Sequence, residues 1–375
     1  MKKRKLLLLA NIIIFSLTSF CYALETDTHE IINENIAKNS FNGFSLDAYL
    51  KNNLGIQGGV EKSFNSQKVW WWLRKGGRYE DVPYWYTPYV RSVNHFHNPL
   101  NDQGYSGFWG TGIMSGMSST QWALLPQDTQ STFCLLGCYS WNDVRNYYYL
   151  ALLSIDKTTR ENYFAQTFRG LGQLMHLVED ASVPSHTRND GHLFYNYENF
   201  AEPYINQYGV PIPTASGFFS GTINNIASLI DTNQYVGVNP DPNIAVGTNI
   251  GLSEYTNANF YSEDTINDSN FPYPQINQQT PIVERTITNT LWNTNYPRQY
   301  YLKNCCGETN GGQGYLLAAV DYLDYWRQQY PLLSFALPKI PVLDDNVYGD
   351  YASLLLPRAV GYSAGLLSYF FRGDI

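Results

Sequence analysis

The sequence predicts an all-α, mainly helical protein with long surface connections. Apolar residues recur at helical spacing in several segments, while alternating strand patterns are sparse along the 375 residues. Hydrophobic residues make up 44% of the chain and aromatic residues 16%, which excludes a disordered tail. The length suits one large domain or two ordinary ones, and we interpret residues 24–375 as a single domain.

The first 23 residues have the pattern of a secretory signal peptide. Lys2–Lys5 is basic, Leu6–Phe20 is a short apolar run, and Ala23 ends a Cys-Tyr-Ala cleavage sequence. We therefore predict a secreted or periplasmic protein that begins at Leu24. Cleavage removes four basic residues and no acidic ones, so the formal net charge changes from −8 to −12. That balance argues against a protein that holds nucleic acid mainly by charge.

The first mature helix is predicted to begin at Asp27, a favourable N-cap with Glu30 three residues later. Ile32 and Ile36 share a face of this helix with His29. Further helical patterns cover Trp141–Ile155, Tyr163–Val183, Tyr315–Gln329 and Tyr351–Phe371. Between about 207 and 280 the composition changes to Asn, Thr, Pro, Gly and Tyr, which predicts a loop-rich segment with short helices such as Ile223–Ile230.

The C-terminal apolar stretch, Ala352–Phe371, is interrupted by Pro357 and Arg358. We interpret residues 315–375 as C-terminal helices and expect a buried or amphipathic helix pair around Pro357. A tail that touches a membrane is the alternative interpretation. The proline and the arginine argue against a helix that spans one.

Four cysteines follow the predicted cleavage site, namely Cys134, Cys138, Cys305 and Cys306. In an oxidising compartment such cysteines are expected to form disulfides, and the spacing of Cys134 and Cys138 allows a local bridge. The same pair offers a metal-binding spacing, but no histidine lies near it in the sequence. We favour disulfides without assigning their pairing.

Three of the six histidines crowd one short stretch that contains His176, His186 and His192. His176 and Asp180 are four residues apart on a strongly helical segment, so both side chains project from one face. Gly172, one turn earlier, leaves space above His176. Pro184 is expected to interrupt the helix and to turn the chain, which redirects His186.

Such a cluster of imidazoles and carboxylates indicates a metal site. Asp180 and Glu198 supply acidic side chains among the three histidines, and neutral imidazole with ionised carboxylate suits zinc. Glu179 is an alternative ligand to Asp180, although it lies at a different helical angle from His176. A hydrogen-bonded pair on the surface is the common alternative for one isolated His/Asp pair.

These residues resemble the signature of the zinc-dependent phospholipases C, whose superfamily includes the single-strand-specific zinc nucleases. The resemblance rests on three stretches of this sequence. In the first, His176-x3-Asp180-x3-Pro184-x-His186 is followed by His192 and by Tyr197-Glu198-Asn199-Phe200. In the second, Asp81 precedes His95 by fourteen residues, and His95 belongs to the stretch Asn94-His95-Phe96-His97-Asn98-Pro99. The third is His29, which lies on an early helix. It implies a multi-helix phospholipase C/nuclease-like domain whose metal-ligand core covers about 28–200.

The resemblance also implies a ligand set for two or three zinc ions. Asp81, His95, His176 and Asp180 would hold the first ion, His186, His192 and Glu198 the second, and His29 with a shared Asp180 the third. The family's mature chains begin with a tryptophan that binds the third zinc, whereas this chain is predicted to begin at Leu24. The spacing from His192 to Glu198 is also longer than in the family, and Glu202 is a weaker alternative to Glu198.

The implied activity is that of a secreted phospholipase C, in which a zinc-activated water attacks the phosphodiester of a phospholipid. Asp81 would also orient or deprotonate that water. The partner would be a phospholipid or membrane surface, and aromatic segments at 70–72 and 83–86 flank Asp81 in the sequence. A zinc nuclease that binds single-stranded nucleic acid, and a non-catalytic secreted zinc-binding module, are the alternatives.

Overall fold

The computed structural model describes residues 26–82, 89–107, 110–126, 139–191, 195–237, 246–289, 294–330, 332 and 338–372. Several residues on which the sequence analysis relied lie outside these ranges. They are the predicted signal peptide at 1–23, the aromatic segment 83–86, Cys134, Cys138 and the predicted metal ligand His192.

Helices and short strands alternate in the first part of the described chain, and a larger sheet follows. The helices are α1 (Thr26–Lys38), α2 (Leu46–Asn52), α3 (Val69–Asp81), α4 (Tyr89–Ser92), α5 (Ser119–Leu124), α6 (Trp141–Leu153), α7 (Lys157–Asp180), α8 (Pro184–Thr187), α9 (Tyr197–Tyr208), α10 (Ala227–Ile230), α11 (Leu252–Asn259), α12 (Asp324–Gln329) and α13 (Asp345–Arg372). The strands are β1 (Ser40–Phe41), β2 (Phe44–Ser45), β3 (Ser63–Phe64), β4 (Gln67–Lys68), β5 (Ile282–Asn289), β6 (Thr294–Lys303), β7 (Tyr315–Val320) and β8 (Pro341–Val342).

Helix α7 packs against α3, α6 and α13, and α3 also packs against α1. The side chain of Asp156 accepts a hydrogen bond from the backbone N–H of Thr159 at 2.7 Å, which caps the start of α7. The helix ends at Asp180, and Pro184 begins α8. The predicted interruption of the helix before His186 is therefore confirmed.

Helices α3 and α7 approach closely at two glycines. A Cβ atom at Gly76 would lie 2.2 Å from a backbone oxygen of α7, and one at Gly172 would lie 2.2 Å from a backbone oxygen of α3. Any larger side chain would therefore push the two helices apart. This close contact brings Asp81, at the end of α3, beside the last turns of α7, which carry His176.

The C-terminal helix α13 continues without a break through Pro357, so the expected helix pair is wrong. Buried side chains on both sides of Pro357 retain the helix through packing, and the hydroxyl of Tyr362 donates a hydrogen bond to the Ile250 carbonyl at 2.8 Å. One cluster of buried apolar side chains extends from Ile32 in α1 to Phe371 in α13. None of the helices in the described ranges is long and apolar enough to cross a membrane.

The all-α prediction is wrong, because β5–β8 form a four-stranded antiparallel sheet and the fold is mixed α and β. Tyr315–Gln329 was expected to be helical, but Tyr315–Val320 is strand β7 and only Asp324–Gln329 is a helix. All six residues of β7 are buried, so its sequence is a continuous apolar run in which polar and apolar residues do not alternate. Periodicity alone does not distinguish such a run from a buried helix.

Other helix boundaries differ from the predicted ones by a few residues. Helix α1 begins at Thr26, so Asp27 lies in its first turn and is not the N-cap. The helix predicted over Trp141–Ile155 ends at Leu153. Within the loop-rich segment 207–280, the helix expected at Ile223–Ile230 begins at Ala227, and the described residues also contain α11.

Candidate metal centre

The structure brings seven of the eight predicted ligands together in the interior, and the eighth, His192, lies outside the described residues. Each of the seven is at most 2% exposed. They come from five helices and one loop: His29 from α1, Asp81 from α3, His95 from the loop after α4, His176 and Asp180 from α7, His186 from α8, and Glu198 from α9.

Asp81, His95, His176 and Asp180 form the first group. An oxygen of Asp180 lies 2.9 Å from Nδ1 of His95 and 3.1 Å from Nε2 of His176. The two oxygens of Asp81 lie 3.5 Å and 3.7 Å from the same two nitrogens. Two carboxylates and two imidazoles therefore face one another at the distances expected around a common cation.

His29 joins this group from the other side of Asp180. Its Nε2 atom lies 3.3 Å from the second oxygen of Asp180, and its ring stacks on that of His176 with the centroids 3.6 Å apart. The sequence analysis assigned His29 and a shared Asp180 to one ion. Their geometry is compatible with that assignment.

His186 and Glu198 form a third group. Nε2 of His186 lies 3.1 Å from a carboxylate oxygen of Glu198, and its Nδ1 atom lies 3.7 Å from Asp180. The side chain of Asn196 accepts hydrogen bonds from the backbone N–H groups of Glu198 and Asn199, which fixes Glu198 in the first turn of α9. Glu202 lies one turn further along the same helix. Asp180 thus contacts members of all three groups.

Several polar atoms at this centre make no well-directed hydrogen bond within the part of the chain that the structure describes. They include both carboxylate oxygens of Asp81, both of Asp180, and Nε2 of His29 and of His95, although imidazole nitrogens lie 2.9–3.3 Å from the Asp180 oxygens. A buried polar atom without a partner costs about 1–3 kcal/mol, and more when the group is charged. Bound cations would satisfy these atoms, and the imidazole and carboxylate donors fit zinc.

The carboxylates also control the charge of the imidazoles. Burial opposes protonation of His29, but its interactions with Asp180 and Glu179 outweigh burial and raise its pKa to about 10. Burial opposes protonation of His95 in the same way, and Asp180, Glu80 and Asp81 raise its pKa to about 10. Burial raises the pKa of Asp81, whereas the imidazoles hold the pKa of Asp180 well below its usual range despite burial. In the metal-free centre, His29 and His95 therefore favour the protonated form.

Carbonyl and carboxylate groups behind the imidazoles fix their orientation. Nδ1 of His176 donates to the carbonyl of Gly77 at 2.7 Å, which directs Nε2 towards Asp180. Nδ1 of His29 pairs with Glu179 at 2.6 Å in the same manner. Such supporting acceptors set the tautomer and increase the basicity of a metal-binding imidazole.

Glu80 supports the centre from beneath His95, at 3.7 Å from its Nε2 atom. Its carboxylate accepts hydrogen bonds from Arg91 at 2.6 Å and 2.8 Å, from Trp122 at 2.9 Å and from Gln173 at 2.7 Å. Burial opposes ionisation of Glu80, but the charge of Arg91 together with the contacts to His95 and Trp122 outweighs burial and holds the pKa of Glu80 below its usual range. Glu80 is therefore an ionised, firmly anchored side chain next to a predicted ligand.

Sequence reasoning did not identify Glu80, the Gly77 carbonyl or the role of Glu179. A backbone carbonyl carries no sequence signal, and Glu80 differs from other glutamates only in its position next to Asp81. Glu179 was considered as a substitute for Asp180 as a metal ligand. In the structure its carboxylate contacts Nδ1 of His29 instead. Only the packing of α1 against α7 reveals that contact.

His97, the one histidine without a predicted ligand role, bridges two other segments. Nδ1 lies 2.6 Å from the hydroxyl of Ser118, and Nε2 lies 2.6 Å from a carboxylate oxygen of Asp231. Its backbone N–H donates to the carbonyl of His186 at 3.0 Å. Both ring nitrogens are thus engaged, and His97 links the loop that carries His95 to helix α8.

The tryptophans at 70–72, which flank Asp81 in the sequence, do not lie beside it in the structure. They occupy the first turn of α3, whereas Asp81 ends this helix, and the helical rise separates them by about 14–16 Å. Trp72 donates to the carbonyl of Phe64, and the ammonium of Lys38 lies over the ring of Trp70 at 3.8 Å. These contacts belong to packing far from the metal centre.

Comparison of this chain with protein families, curated proteins and solved structures finds no match. The functional interpretation therefore rests on the residues of the chain itself. The arrangement that carries it is the buried set of histidines and carboxylates centred on Asp180.

Proposed function

We propose that this chain is a secreted zinc-dependent phosphodiester hydrolase that acts on phospholipids as a phospholipase C. The observation that supports a metal enzyme is the convergence of the Asp81 and Asp180 carboxylates on three imidazoles. Among the described residues, no hydrogen bond satisfies the Asp81 oxygens, and imidazole nitrogens lie 2.9–3.3 Å from the Asp180 oxygens. The phospholipid specificity rests on the motif resemblance and on the predicted signal peptide.

Three sets of residues would hold zinc. Asp81, His95, His176 and Asp180 would form the first site, and His29 would share Asp180 in another. His186 and Glu198, with His192 from outside the described residues, would form the remaining site. When bound, zinc lowers the pKa of water and neutralises the charge of phosphate oxygens.

Asp81 would orient the attacking water and accept its proton at a carboxylate oxygen. Burial raises the pKa of Asp81, which makes this carboxylate a better proton acceptor than an exposed one. As the water oxygen forms its bond to phosphorus, the bond from phosphorus to the glycerol oxygen breaks. The proton held at Asp81 is then returned to that oxygen, so diacylglycerol and a phosphorylated head group are released.

Other side chains keep the reacting geometry fixed. The ion pair of Glu80 and Arg91 is almost completely buried and lies behind His95. Glu179 orients His29, and the carbonyl of Gly77 orients His176. These groups would act by positioning the ligands and would not contact the substrate.

The charge of a cavity next to helix α8 favours a phospholipid over a nucleic acid as the substrate. A cavity of about 770 Å³ borders the segment that directly follows His186, and Asp190, Asp264 and Asp268 contribute to its lining. Arg188, the one basic residue among the described lining residues, donates to the backbone carbonyls of Asn257 and Tyr273. A polyanionic strand would be repelled by these carboxylates, whereas a zwitterionic lipid presents a cationic group to them.

The test compares two substrates with zinc-loaded protein. Phosphocholine release from phosphatidylcholine vesicles is measured beside the cleavage of single-stranded DNA, for the wild-type protein and for Asp81→Asn. Asp345→Asn, at the exposed start of α13, is the matched control. We expect lipid hydrolysis that falls in Asp81→Asn and not in Asp345→Asn.

Two other outcomes would replace the proposal. Preferential cleavage of DNA would identify a nuclease that uses the same ligands. Bound zinc without either activity would identify a non-catalytic zinc-binding module.

A further inference from the structure

Cys305 and Cys306 form an unusual pair of neighbouring thiols in the turn that follows β6. Both side chains are exposed, and their sulfur atoms lie 3.0 Å apart, closer than ordinary van der Waals contact. Cys306 adopts a left-handed backbone conformation with φ of 61°, which is rare for a residue with a side chain. The turn therefore holds the two sulfurs together instead of letting them project apart.

The same thiols border a cavity of about 380 Å³ that also contains Lys303. Lys303 is only 6% exposed. Burial lowers the pKa of its ammonium to about 8, and the neighbouring sulfurs oppose that shift. The contact with Cys306 and burial raise the pKa of the Cys305 thiol, and the ammonium of Lys303 opposes that rise. A cation in this position favours the thiolate, which is the form that reacts with disulfides. The cavity thus combines adjacent thiols with a group that promotes their exchange chemistry.

We propose that Cys305 and Cys306 are a thiol–disulfide exchange site that forms a vicinal disulfide by reaction with a small-molecule disulfide. One thiolate attacks a sulfur of the external disulfide, breaks its S–S bond and releases one thiol. The second thiolate then attacks the mixed disulfide, closes the ring and releases the other thiol. The cysteines lose two electrons and two protons in total, and the external disulfide is reduced to two thiols.

Chain geometry makes this bond reversible. Consecutive Cα atoms are about 3.8 Å apart, whereas disulfides usually join Cα atoms separated by about 4.4–6.8 Å. The ring is therefore strained and is reduced more readily than an ordinary disulfide. Ring closure replaces two thiol donors at the edge of the cavity by an apolar S–S unit.

The experiment treats the reduced full chain with oxidised glutathione, blocks the remaining thiols with an alkylating reagent and maps the peptides by mass spectrometry. We expect the peptide that contains both cysteines to be lighter than its reduced form by two hydrogens, without glutathione and without alkylation. Mild treatment with reduced glutathione should restore both thiols.

Three variants test the roles of Cys306, Lys303 and the other two cysteines. Cys306→Ser should accumulate glutathione on Cys305, because no second thiolate is present to close the ring. Lys303→Gln should slow ring closure by about three- to tenfold, since the thiolates lose the neighbouring cation. The double variant Cys134→Ser/Cys138→Ser should behave as the wild type.

Alkylation of both thiols after oxidation, a persistent glutathione adduct on the wild type, or a cross-link to Cys134 or Cys138 would each overturn the proposal.

Discussion

The imidazole rings of His29 and His176 stack with their centroids 3.6 Å apart, and each presents its Nε2 atom to a different oxygen of Asp180. The protonated ring of His29 needs a negative charge beside it in the interior, and the buried carboxylate of Asp180 supplies one. The same carboxylate also lies 2.9 Å from His95 and 3.7 Å from His186. Asp180 is therefore the side chain on which the whole centre depends.

Replacement of Asp180 tests that dependence. Asp180→Asn removes one negative charge and one carboxylate oxygen from all three ligand groups, so we expect zinc affinity to fall by about 100-fold or more. Isothermal titration with zinc and elemental analysis measure the loss, and circular dichroism of the metal-free protein checks the fold. Asp345→Asn, with its side chain at the exposed start of α13, should bind zinc as the wild type does. Unchanged zinc affinity in Asp180→Asn would show that this residue is not a ligand.

The close approach of α3 and α7 gives a prediction about stability. Gly172→Ala would place a methyl group 2.2 Å from a backbone oxygen of α3, so the helices must separate. We expect a loss of about 1–3 kcal/mol in the free energy of unfolding, measured by urea denaturation, together with weaker zinc binding. Gly365→Ala in α13 is the control, because a Cβ there meets nothing within 4 Å. This control should be neutral or more stable by about 0.5–1 kcal/mol. Equal stability of the two variants would contradict the tight contact.

The buried ion pair behind His95 predicts a second effect on stability. Glu80→Gln leaves the guanidinium of Arg91 without its carboxylate in the interior, so we expect unfolding to become easier by about 3–5 kcal/mol. Thermal and chemical denaturation measure this difference. In the control Glu61→Gln, an exposed partner of Lys68 is lost, and the free energy of unfolding should hardly change. A similar small change in both variants would mean that the Glu80 pair contributes little.

One part of the ligand cluster was predictable from local spacing, whereas His29, Asp81 and His95 were assigned through the motif resemblance. His176 and Asp180 share a helix face at a spacing of four residues, and Pro184 redirects His186 within the next few residues. The contact of Glu179 with His29 was not predictable, since it depends on how α1 packs against a different face of α7. Spacing along one helix carries no information about its partner helix.

The errors in the predicted fold have related physical causes. Strand β7 is buried on both faces, so Tyr315–Val320 lacks the alternation that identifies a strand and was assigned to a helix. The tryptophans at 70–72 precede Asp81 closely in the sequence, but the helical rise carries them to the opposite end of α3.

Zinc binding should release protons near neutral pH. His29 and His95 have pKa values raised to about 10 from an ordinary 6.5, so both are protonated in the metal-free protein at pH 7.5. Zinc requires neutral imidazole, and its binding should therefore release about two protons from these residues. Titration calorimetry in buffers of different ionisation enthalpy measures the number. The variant His29→Gln should release about one proton fewer.

The same two histidines give the stability of the metal-free protein a defined pH dependence. Between about pH 6.5 and 10 the folded state binds more protons than the unfolded state, so stability is greatest below this range and falls as the pH rises through it. Thermal unfolding of metal-free protein across this range measures the trend. A rise in stability over the same range would be inconsistent with protonated imidazoles at the centre.

Crystals grown with zinc, and measured on both sides of the zinc absorption edge, address the metal centre directly. We expect an anomalous peak within about 2.0–2.2 Å of Nε2 of His176, Nδ1 of His95 and carboxylate oxygens of Asp81 and Asp180. Further peaks are expected beside His29 and beside Glu198. Crystals with ample zinc but no anomalous density among these side chains would contradict a zinc-dependent function.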